Sequence, residues 1–213
     1  MIKIASAFST IVSTCCFLLV LFSFVVTTIT TSQTLEIDTV VGHRFYDGEG
    51  GLASHVSFYA PTNVAFHPVT GDLFVADSNN HIVRKIDKVS NVITTVAGTV
   101  GVPNYSGDGG PATQATLFDP QGIAFSFDGA SLYIADSKNH RVRMVKDGII
   151  TTVAGNGTYG FGTDDVQATN TSLYYPYSVT VLHTTGELVI SDTDNHRIRK
   201  VDSSGFISTI VGN

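Results

Sequence analysis

Beyond about residue 35 the chain consists of short apolar runs that alternate with small polar residues. The runs are rich in β-branched and aromatic side chains, as in Leu73–Ala76 and Leu132–Ala135. Gly, Asn, Asp and Ser lie between them, which is typical of strands joined by turns. No window of this part of the sequence has the apolar periodicity of a helix. The pattern therefore predicts an all-β domain.

Three landmarks recur in this region in one order. The first is a nine-residue segment from Leu to His with Asp at its fifth position: Leu73–His81, Leu132–His140 and Leu188–His196. The second is a six-residue segment that ends in Gly: Ile93–Gly98, Ile150–Gly155 and Ile207–Gly212. The third is a proline that precedes a short apolar run: Pro61, Pro120 and Pro176. The Asp positions 77, 136 and 192 are 59 and 56 residues apart, so the chain contains an internal repeat.

Each repeat unit is predicted to form four strands. The first follows the proline: Val64–Phe66, Ile123–Phe125 and Val179–Val181. The second ends at the Asp, and the third begins at the His: His81–Ile86, His140–Val145 and His196–Val201. The fourth ends at the Gly of the second landmark. Sheets of this kind bury their faces by stacking on copies of themselves, and four strands in roughly 40–60 residues are typical of β-propeller blades. The predicted blades cover about residues 60–98, 119–155 and 175–212.

The repeat resembles that of the NHL-repeat family. The motifs that carry the resemblance are Asp-Ser-x-Asn-His with a following Val/Ile-Arg, the Ile-Thr-Thr-Val-Ala-Gly segment, and Gly-Asp-Gly-Gly-Pro-Ala-Thr at 107–113. The resemblance extends over about residues 34–213. It implies a propeller of four-stranded blades, about six in a typical closed ring. It implies less about function, because this fold serves ligand-binding modules, scaffolds, RNA-binding proteins and a few enzymes.

The blade count is incomplete for a closed ring. Residues 35–42 contain Ile37–Gly42, which matches a fourth strand with no first three strands before it. The expected architecture is therefore three blades plus one orphan outer strand, a partial or open propeller. Such an arc is expected if the sequence is a fragment or a truncated product, or if the arc closes with another chain. Its open edges would expose apolar surface that favours association.

The amino terminus has the layout of an export signal. Lys3 is the only charge before Glu36, and Cys15–Val26 is apolar apart from Ser23. Residues 1–31 are therefore predicted to form a hydrophobic helix that serves as a cleaved signal peptide or as an uncleaved signal anchor. Both alternatives place the propeller outside the cytosol, secreted or membrane-anchored. Three Asn-x-Ser/Thr sequons, at Asn104, Asn156 and Asn170, are candidate N-glycosylation sites of a secreted glycoprotein.

Charge and cysteine content exclude several classes of function. The formal net charge is −6, and residues 32–213, which lack Lys3, carry eleven basic and eighteen acidic residues, a charge of −7. A nucleic-acid partner is not expected, because nucleic-acid binding requires a basic surface. Both cysteines, Cys15 and Cys16, precede the repeats. A disulfide framework or a cysteine-based zinc site is therefore excluded from the propeller.

Twelve polar residues keep the same positions in all three units: Asp77, Asn80, His81, Arg84, Asp136, Asn139, His140, Arg143, Asp192, Asn195, His196 and Arg199. Asp and His are common catalytic residues and metal ligands. Alternatively, the carboxylate accepts amide protons of its turn and pairs with Arg across the hairpin. An active site breaks the symmetry of a repeat, whereas these residues obey it. We therefore interpret them as a structural motif and predict no catalytic residue, metal ligand or cofactor-binding residue.

Zinc and calcium are the two metals relevant to a propeller of this kind. The resemblance implies zinc only for a peptidyl-hydroxyglycine amidating lyase, whose histidines directly follow the blade-opening proline. The matching residues here are Thr62, Gln121 and Tyr177, which are not a zinc set. The long connections 43–59, 99–118 and 156–174 are rich in Gly and oxygen donors, which leaves calcium open. The preferred interpretation is that their glycines form turns while Ala115, Leu117 and Leu173 pack on the blades, and no cofactor is expected.

The aromatic residues of these connections have two interpretations. They either form a contact rim or bridge adjacent blades: Tyr105, Tyr159, Phe161, Tyr174 and Tyr175. The leading functional hypothesis is a non-catalytic extracytoplasmic module that binds a protein, peptide or glycan through blade loops. The alternative is a calcium-dependent propeller hydrolase whose site is completed by missing blades. Membrane contact is expected only through an uncleaved amino-terminal segment, and the open propeller edges are candidate surfaces for association.

Overall fold

The computed structural model of the protein describes residues 48–212, and this part of the chain is all-β. It contains thirteen strands in three sheets, with three-residue 3₁₀ turns between them. The predicted helix within residues 1–31 and the orphan strand within 35–42 lie outside the described residues. Among the residues described, no helix is both long enough and apolar enough to cross a membrane.

Each of the three sheets contains one antiparallel meander of four strands. The first sheet has the strands β1 (Pro61–Phe66), β2 (Leu73–Asp77), β3 (Ile82–Ile86) and β4 (Ile93–Ala97). The second has β5 (Pro120–Phe125), β6 (Ser131–Asp136), β7 (Arg141–Lys146) and β8 (Ile149–Ala154). The third has β9 (Val166–Gln167), β10 (Pro176–Val181), β11 (Leu188–Asp192), β12 (Arg197–Val201) and β13 (Phe206–Val211), in the order β10-β11-β12-β13-β9. The predicted four-stranded units of a partial propeller are confirmed.

Three of the predicted strand boundaries are wrong. The fourth strand ends one residue before the predicted glycine, at Ala97, Ala154 and Val211. The first strand of each sheet begins at the proline itself, where Pro61 lies opposite Asp77 before a register shift brings Asn63 opposite Ala76. Proline fits there because the first residue of a strand need not donate a ladder hydrogen bond. The third strand begins one residue after the histidine, because the histidines have left-handed backbones with φ of 61°, 54° and 54°.

Consecutive sheets pack face to face through apolar side chains. One core cluster joins Ala76, Val83 and Ala97 of the first sheet to Ile134 and Ile150 of the second. The second cluster repeats the arrangement, with small residues again on one sheet and large residues on the next: Ala135, Val142 and Ala154 against Val179, Ile190 and Ile207. At both internal contacts, the alanines of the earlier sheet therefore pack against isoleucines of the later one.

The long connections pack on the sheets and cover their outer edges. Ala115, Leu117 and Leu173 are fully buried, as the sequence analysis expected. The connection before each sheet also forms backbone hydrogen bonds to that sheet's outermost long strand: Gly50 N–H to Ile93 O, Gly109 N–H to Ile150 O and Asp165 N–H to Ile207 O. In the third sheet this pairing is regular enough to form β9. Strand edges attract unwanted pairing, and this arrangement covers them.

Candidate functional site: the repeated Asp-Asn-His-Arg cluster

The aspartate at the end of the second strand is buried in all three sheets. One of its carboxylate oxygens accepts a backbone N–H from a residue 18 positions earlier in the chain: Tyr59 for Asp77, Phe118 for Asp136 and Tyr174 for Asp192, each at 2.7 Å. The sequence analysis did not include this upstream donor. The observed bond attaches the start of each blade, two residues before its proline, to the end of its second strand.

The second carboxylate oxygen is held by the turn and by the third strand. It accepts the side-chain amide of the motif asparagine at 2.8–2.9 Å: Asn80, Asn139 and Asn195. It also pairs with the motif arginine: Arg84 at 3.8 Å, Arg143 at 3.2 Å and Arg199 at 3.3 Å. The expected Asp–Arg pairing across the hairpin is therefore present in each sheet.

The arginines connect these aspartates to a second carboxylate that the sequence analysis did not assign to the motif. Arg143 donates through Nη2 to Asp108 at 2.7 Å, and Arg199 donates through Nη2 to Asp164 at 2.8 Å. Both pairs span 35 residues, and Glu49 precedes Arg84 by the same number. Glu49 accepts from the backbone and hydroxyl of Thr95, much as Asp164 accepts from Thr209. The equal spacing of these three acidic residues was the sequence signal for this position.

Burial and pairing oppose each other in the electrostatics of this cluster. Burial raises the pKa of Asp136 to about 6, although Phe118, Asn139 and Arg143 favour its charged form. Burial likewise raises the pKa of Asp77. Burial also opposes ionisation of Asp108, but hydrogen bonds from Thr152 and Tyr105 and the charge of Arg143 outweigh it, so the pKa of Asp108 is lowered. The outer carboxylate of the Asp108–Arg143–Asp136 chain is thus the more firmly ionised of the two.

The motif histidines lie where one sheet meets the next. Each closes a 3₁₀ turn through its backbone N–H. The Nδ1 atom of His81 accepts the N–H of Asp119 at 3.2 Å, and Nδ1 of His140 accepts the N–H of Tyr175 at 3.3 Å. Both donors directly precede the proline of the following sheet. Burial lowers the pKa of His81 and of His140, which favours the neutral form that can accept these bonds.

The three positions that would carry zinc histidines in the lyase lie at the start of the innermost strands. The Thr62 hydroxyl donates to the Gln121 carbonyl at 2.9 Å, and the Gln121 side-chain amide donates to Asp119 at 2.8 Å. Tyr177 is exposed. Within residues 48–212 no three His, Cys, Asp or Glu side chains are grouped closely enough to hold a metal ion.

The aromatic residues of the connections divide into two groups. Tyr105 and Phe161 each stack on an arginine of the sheet that follows: Arg141 at 3.6 Å and Arg197 at 3.7 Å from the ring centroid. The other three surround His140 with ring centroids 5.0–6.1 Å from it: Tyr159, Tyr174 and Tyr175. We call these three the tyrosine cluster. It bridges the second and third sheets, while Tyr159 also remains largely exposed.

The three sequon asparagines are exposed in the connections between sheets. The side-chain oxygen of Asn156 accepts the N–H of Thr158 at 2.8 Å, the third residue of its sequon. The side-chain oxygen of Asn104 accepts the N–H of Tyr105 at 2.8 Å. All three residues are therefore in contact with solvent.

Stacked four-stranded meanders with one buried Asp–Arg pair in each sheet are the blades of an NHL-type propeller. The family profile described as the teneurin NHL domain matches residues 60–163, and the NHL repeat profile matches residues 173–201. The chain belongs to the NHL-repeat β-propeller family.

Individual relatives are long proteins of different kinds. Protein SUPPRESSOR OF QUENCHING 1, chloroplastic, of Arabidopsis thaliana is 30% identical over 158 residues, which are 72% of this chain and 15% of that protein. Teneurin-1 of Mus musculus is 31% identical over 179 residues, 78% of this chain and 6% of that protein. An auxiliary nutrient binding protein from Bacteroides thetaiotaomicron has the same fold, with a TM-score of 0.57 at 24% identity over 68% of this chain and 36% of that one. The chain thus spans a small part of each curated relative.

Proposed function

We propose that this chain is a non-catalytic interaction module that binds a protein, peptide or glycan outside the cytosol. The observation that carries the proposal is the burial of the Asp and Arg residues of the motif in all three sheets. Their polar atoms bond to the turn, to the third strand and to the connection. Groups held in this way maintain the blade and do not reach a solute.

The tyrosine cluster supports a contact role for the connections. Tyr159 and Tyr174 have ring centroids 5.7 Å apart, and Tyr174 and Tyr175 are 5.4 Å apart. Tyrosines combine a large apolar area with a polar tip, so they are enriched in the centres of protein interfaces. We place the ligand-binding surface at the end of the sheets that carries the 3₁₀ turns and this cluster.

The extracytoplasmic location is supported by the leader-like layout of residues 1–31 and by the exposure of the sequons. Secretion from a glycosylating host should give a protein whose mass falls on treatment with an endoglycosidase. The variants Asn104→Gln, Asn156→Gln and Asn170→Gln should each lower the mass of the secreted protein by that of one glycan. Retention of the chain in the cytosol, without glycans, would contradict this part of the proposal.

A binding experiment tests the contact role. The labelled full chain is applied to an array of secreted proteins, peptides and glycans, with Tyr159→Ser and Phe127→Ser as variants. Both residues are exposed aromatics, but Phe127 lies in the β5–β6 hairpin at the opposite end of the sheet. We expect saturable binding that Tyr159→Ser weakens at least about fivefold and Phe127→Ser leaves unchanged. Absence of any ligand, or equal effects of the two variants, would count against this surface.

An activity assay tests the absence of catalysis. The full chain is incubated with lactone and ester substrates in the presence of calcium and, separately, of EDTA. The proposal expects no turnover above the uncatalysed rate in either condition. Hydrolysis that requires calcium and disappears with EDTA would instead support the calcium-dependent hydrolase.

A further inference from the structure

The contact between consecutive sheets is made by two unlike faces. We call the side of a sheet that meets the following sheet its forward face, and the opposite side its backward face. On the forward face, the Ser78 hydroxyl donates to the Pro120 carbonyl and His81 Nδ1 accepts the Asp119 N–H. Ser137 and His140 form the same two bonds to the third sheet: Ser137 to the Pro176 carbonyl at 2.6 Å and His140 to the Tyr175 N–H. The same two hydrogen bonds therefore join both pairs of consecutive sheets.

The backward face of the first sheet has the features that the other two backward faces use in these contacts. Ala60 precedes Pro61 with φ of 51°, as Asp119 and Tyr175 precede their prolines with φ of 56° and 46°. Among residues 48–212, nothing covers the apolar side chains of its innermost strand: Val64 is 58% exposed and Phe66 is 68% exposed. Ile123, which corresponds to Val64, is 5% exposed, and in the third sheet Val179 and Val181 are 3% and 6% exposed.

The forward face of the third sheet has residues equivalent to the serine and histidine that form these two hydrogen bonds at the internal contacts. Thr193 supplies the hydroxyl at the position of Ser78 and Ser137, and His196 has the same left-handed backbone as the other two histidines. Val211 occupies the position of Ala97 and Ala154, which are fully buried, but it is 62% exposed. The neighbouring Ile210 is 49% exposed. Apolar and polar groups that are buried at the two internal contacts are thus presented to solvent here.

We propose that two copies of this chain associate head to tail, with the forward face of the third sheet of each copy against the backward face of the first sheet of the other. The chain itself contains the surface that this edge requires: an N–H before a proline for His196, a proline carbonyl for Thr193, and an apolar pair for Val211 and Ile210. Two copies satisfy both edges at once and close a ring of six sheets, within the four to eight blades of propellers. Head-to-tail contacts that close in this way give a finite assembly and not a fibre.

The test measures the mass of the full chain in solution by sedimentation equilibrium, in a mild non-ionic detergent so that residues 1–31 do not drive association. We expect twice the mass of one chain at micromolar concentration. Phe66→Asp and Val211→Asp each place a charge on one of the two faces, so each variant alone should be monomeric. Phe127→Asp and Val89→Asp are matched controls in hairpins away from both faces, and both should remain dimeric.

Mixing the two face variants decides the geometry of the contact. A mixed pair of Phe66→Asp and Val211→Asp chains contains one contact between two unmodified faces, so mixing should restore a dimer. A gentler variant, His196→Ala, should weaken the association several-fold with an unchanged circular dichroism spectrum. A monomeric wild-type chain, a dimer that resists both substitutions, or a mixture that stays monomeric would each overturn the proposal.

Discussion

At the scale of single residues, the most constrained position is the buried aspartate. Asp136 has no exposed surface and is bonded to Phe118, Asn139 and Arg143. Its partner Arg143 is equally buried, so the loss of the carboxylate leaves a buried positive charge with only Asp108 as counter-ion. The same consideration applies to Asp77 and Asp192.

The first prediction concerns this ion pair. Asp136→Ala should lower the free energy of unfolding by about 3–5 kcal/mol, because it removes one partner of a buried pair and leaves the Phe118 N–H without its acceptor. Urea denaturation followed by circular dichroism measures the change. Asp194→Ala, an exposed aspartate in the corresponding turn of the third sheet, should change the stability by less than about 0.5 kcal/mol. Equal effects of the two substitutions would contradict a supporting role for the carboxylate.

The second prediction concerns pH. His140 accepts the Tyr175 N–H only when neutral, and burial lowers its pKa in the folded protein below its ordinary value. The stability that this histidine contributes is therefore present above about pH 6.5 and is lost as the pH falls through the lower pKa of the folded state. His140→Asn keeps a residue type that tolerates a left-handed backbone but does not titrate.

The free energy of unfolding, measured with urea, should be higher for the wild type than for His140→Asn, and the difference should be larger at pH 8 than at pH 5. Asp136 acts in the opposite direction, since its raised pKa favours the folded state at acid pH, but it is common to both proteins and cancels in the difference. A difference in stability that does not change between pH 8 and pH 5 would contradict the acceptor role of His140.

At the scale of elements, the glycine that directly follows the fourth strand lies close to the backbone of the histidine turn. Gly155 has φ of +84°, and a Cβ atom there would lie 2.2 Å from the His140 carbonyl oxygen. Gly98 and Gly212 have the same relation to His81 and His196, each at 2.4 Å. The repeated glycine therefore lets the fourth strand leave the sheet beside the histidine turn.

The third prediction follows from this approach. Gly155→Ala should destabilise the protein by at least about 2 kcal/mol, because it combines a left-handed backbone with a collision against backbone atoms. Gly109→Ala is the matched control, since Gly109 also has positive φ, at +80°, but no atom within 4 Å of an added Cβ. The control should cost about 1 kcal/mol from backbone strain alone. Chemical denaturation of both variants measures the difference, and equal losses would show that the close approach is unimportant.

The sequence predicts the strands well and their ends less well. The repeated Leu, Asp, Gly and Pro landmarks locate the four meander strands of each sheet, because apolar side chains recur where these strands pack. They do not locate β9 of the third sheet. The left-handed turn at His81 is a property of the backbone. Histidine is enriched in this conformation, but most histidines do not adopt it, so the sequence did not place the strand start after it. The pairing of Gly50 or Asp165 with an outer strand uses backbone groups only and leaves no pattern of side chains.

In the candidate site, too, contacts between repeated side chains were predictable and contacts of the backbone were not. The pairing of Asp136 with Arg143 was predicted because both residues repeat and have opposite charge. The role of Asp108 was missed because its surroundings, Gly-Asp-Gly-Gly, are typical of a loop, and only its distance from Arg143 along the chain carried the signal. Which backbone amide a carboxylate accepts depends on the path of the connection, which the sequence does not specify.

At the scale of the whole molecule, stability depends on how many neighbours each sheet has. The second sheet contributes to both core clusters, whereas the first and third sheets each contribute to one. In stacked repeat proteins stability is nearly a sum of intrinsic and nearest-neighbour terms. The middle sheet is therefore expected to open last in a single, unassociated chain.

The fourth prediction tests this order by hydrogen–deuterium exchange. In the Phe66→Asp variant, which is expected to be monomeric, the amides of β6 and β7 should exchange more slowly than those of β2, β3, β11 and β12. In the proposed wild-type dimer, in which every sheet has two neighbours, the three sheets of each chain should exchange at similar rates. Slowest exchange in either outer sheet of the monomeric variant would contradict nearest-neighbour stabilisation.

The bond from each aspartate to an amide 18 residues upstream has a consequence for biosynthesis. The donor is translated before the aspartate, and the arginine that completes the cluster follows only seven residues after the aspartate. The hydrogen bonds and the ion pair of one aspartate can thus form while the next blade is still being translated. A pause in elongation between blades would leave a blade whose internal bonds are complete but whose forward apolar face still awaits the next sheet.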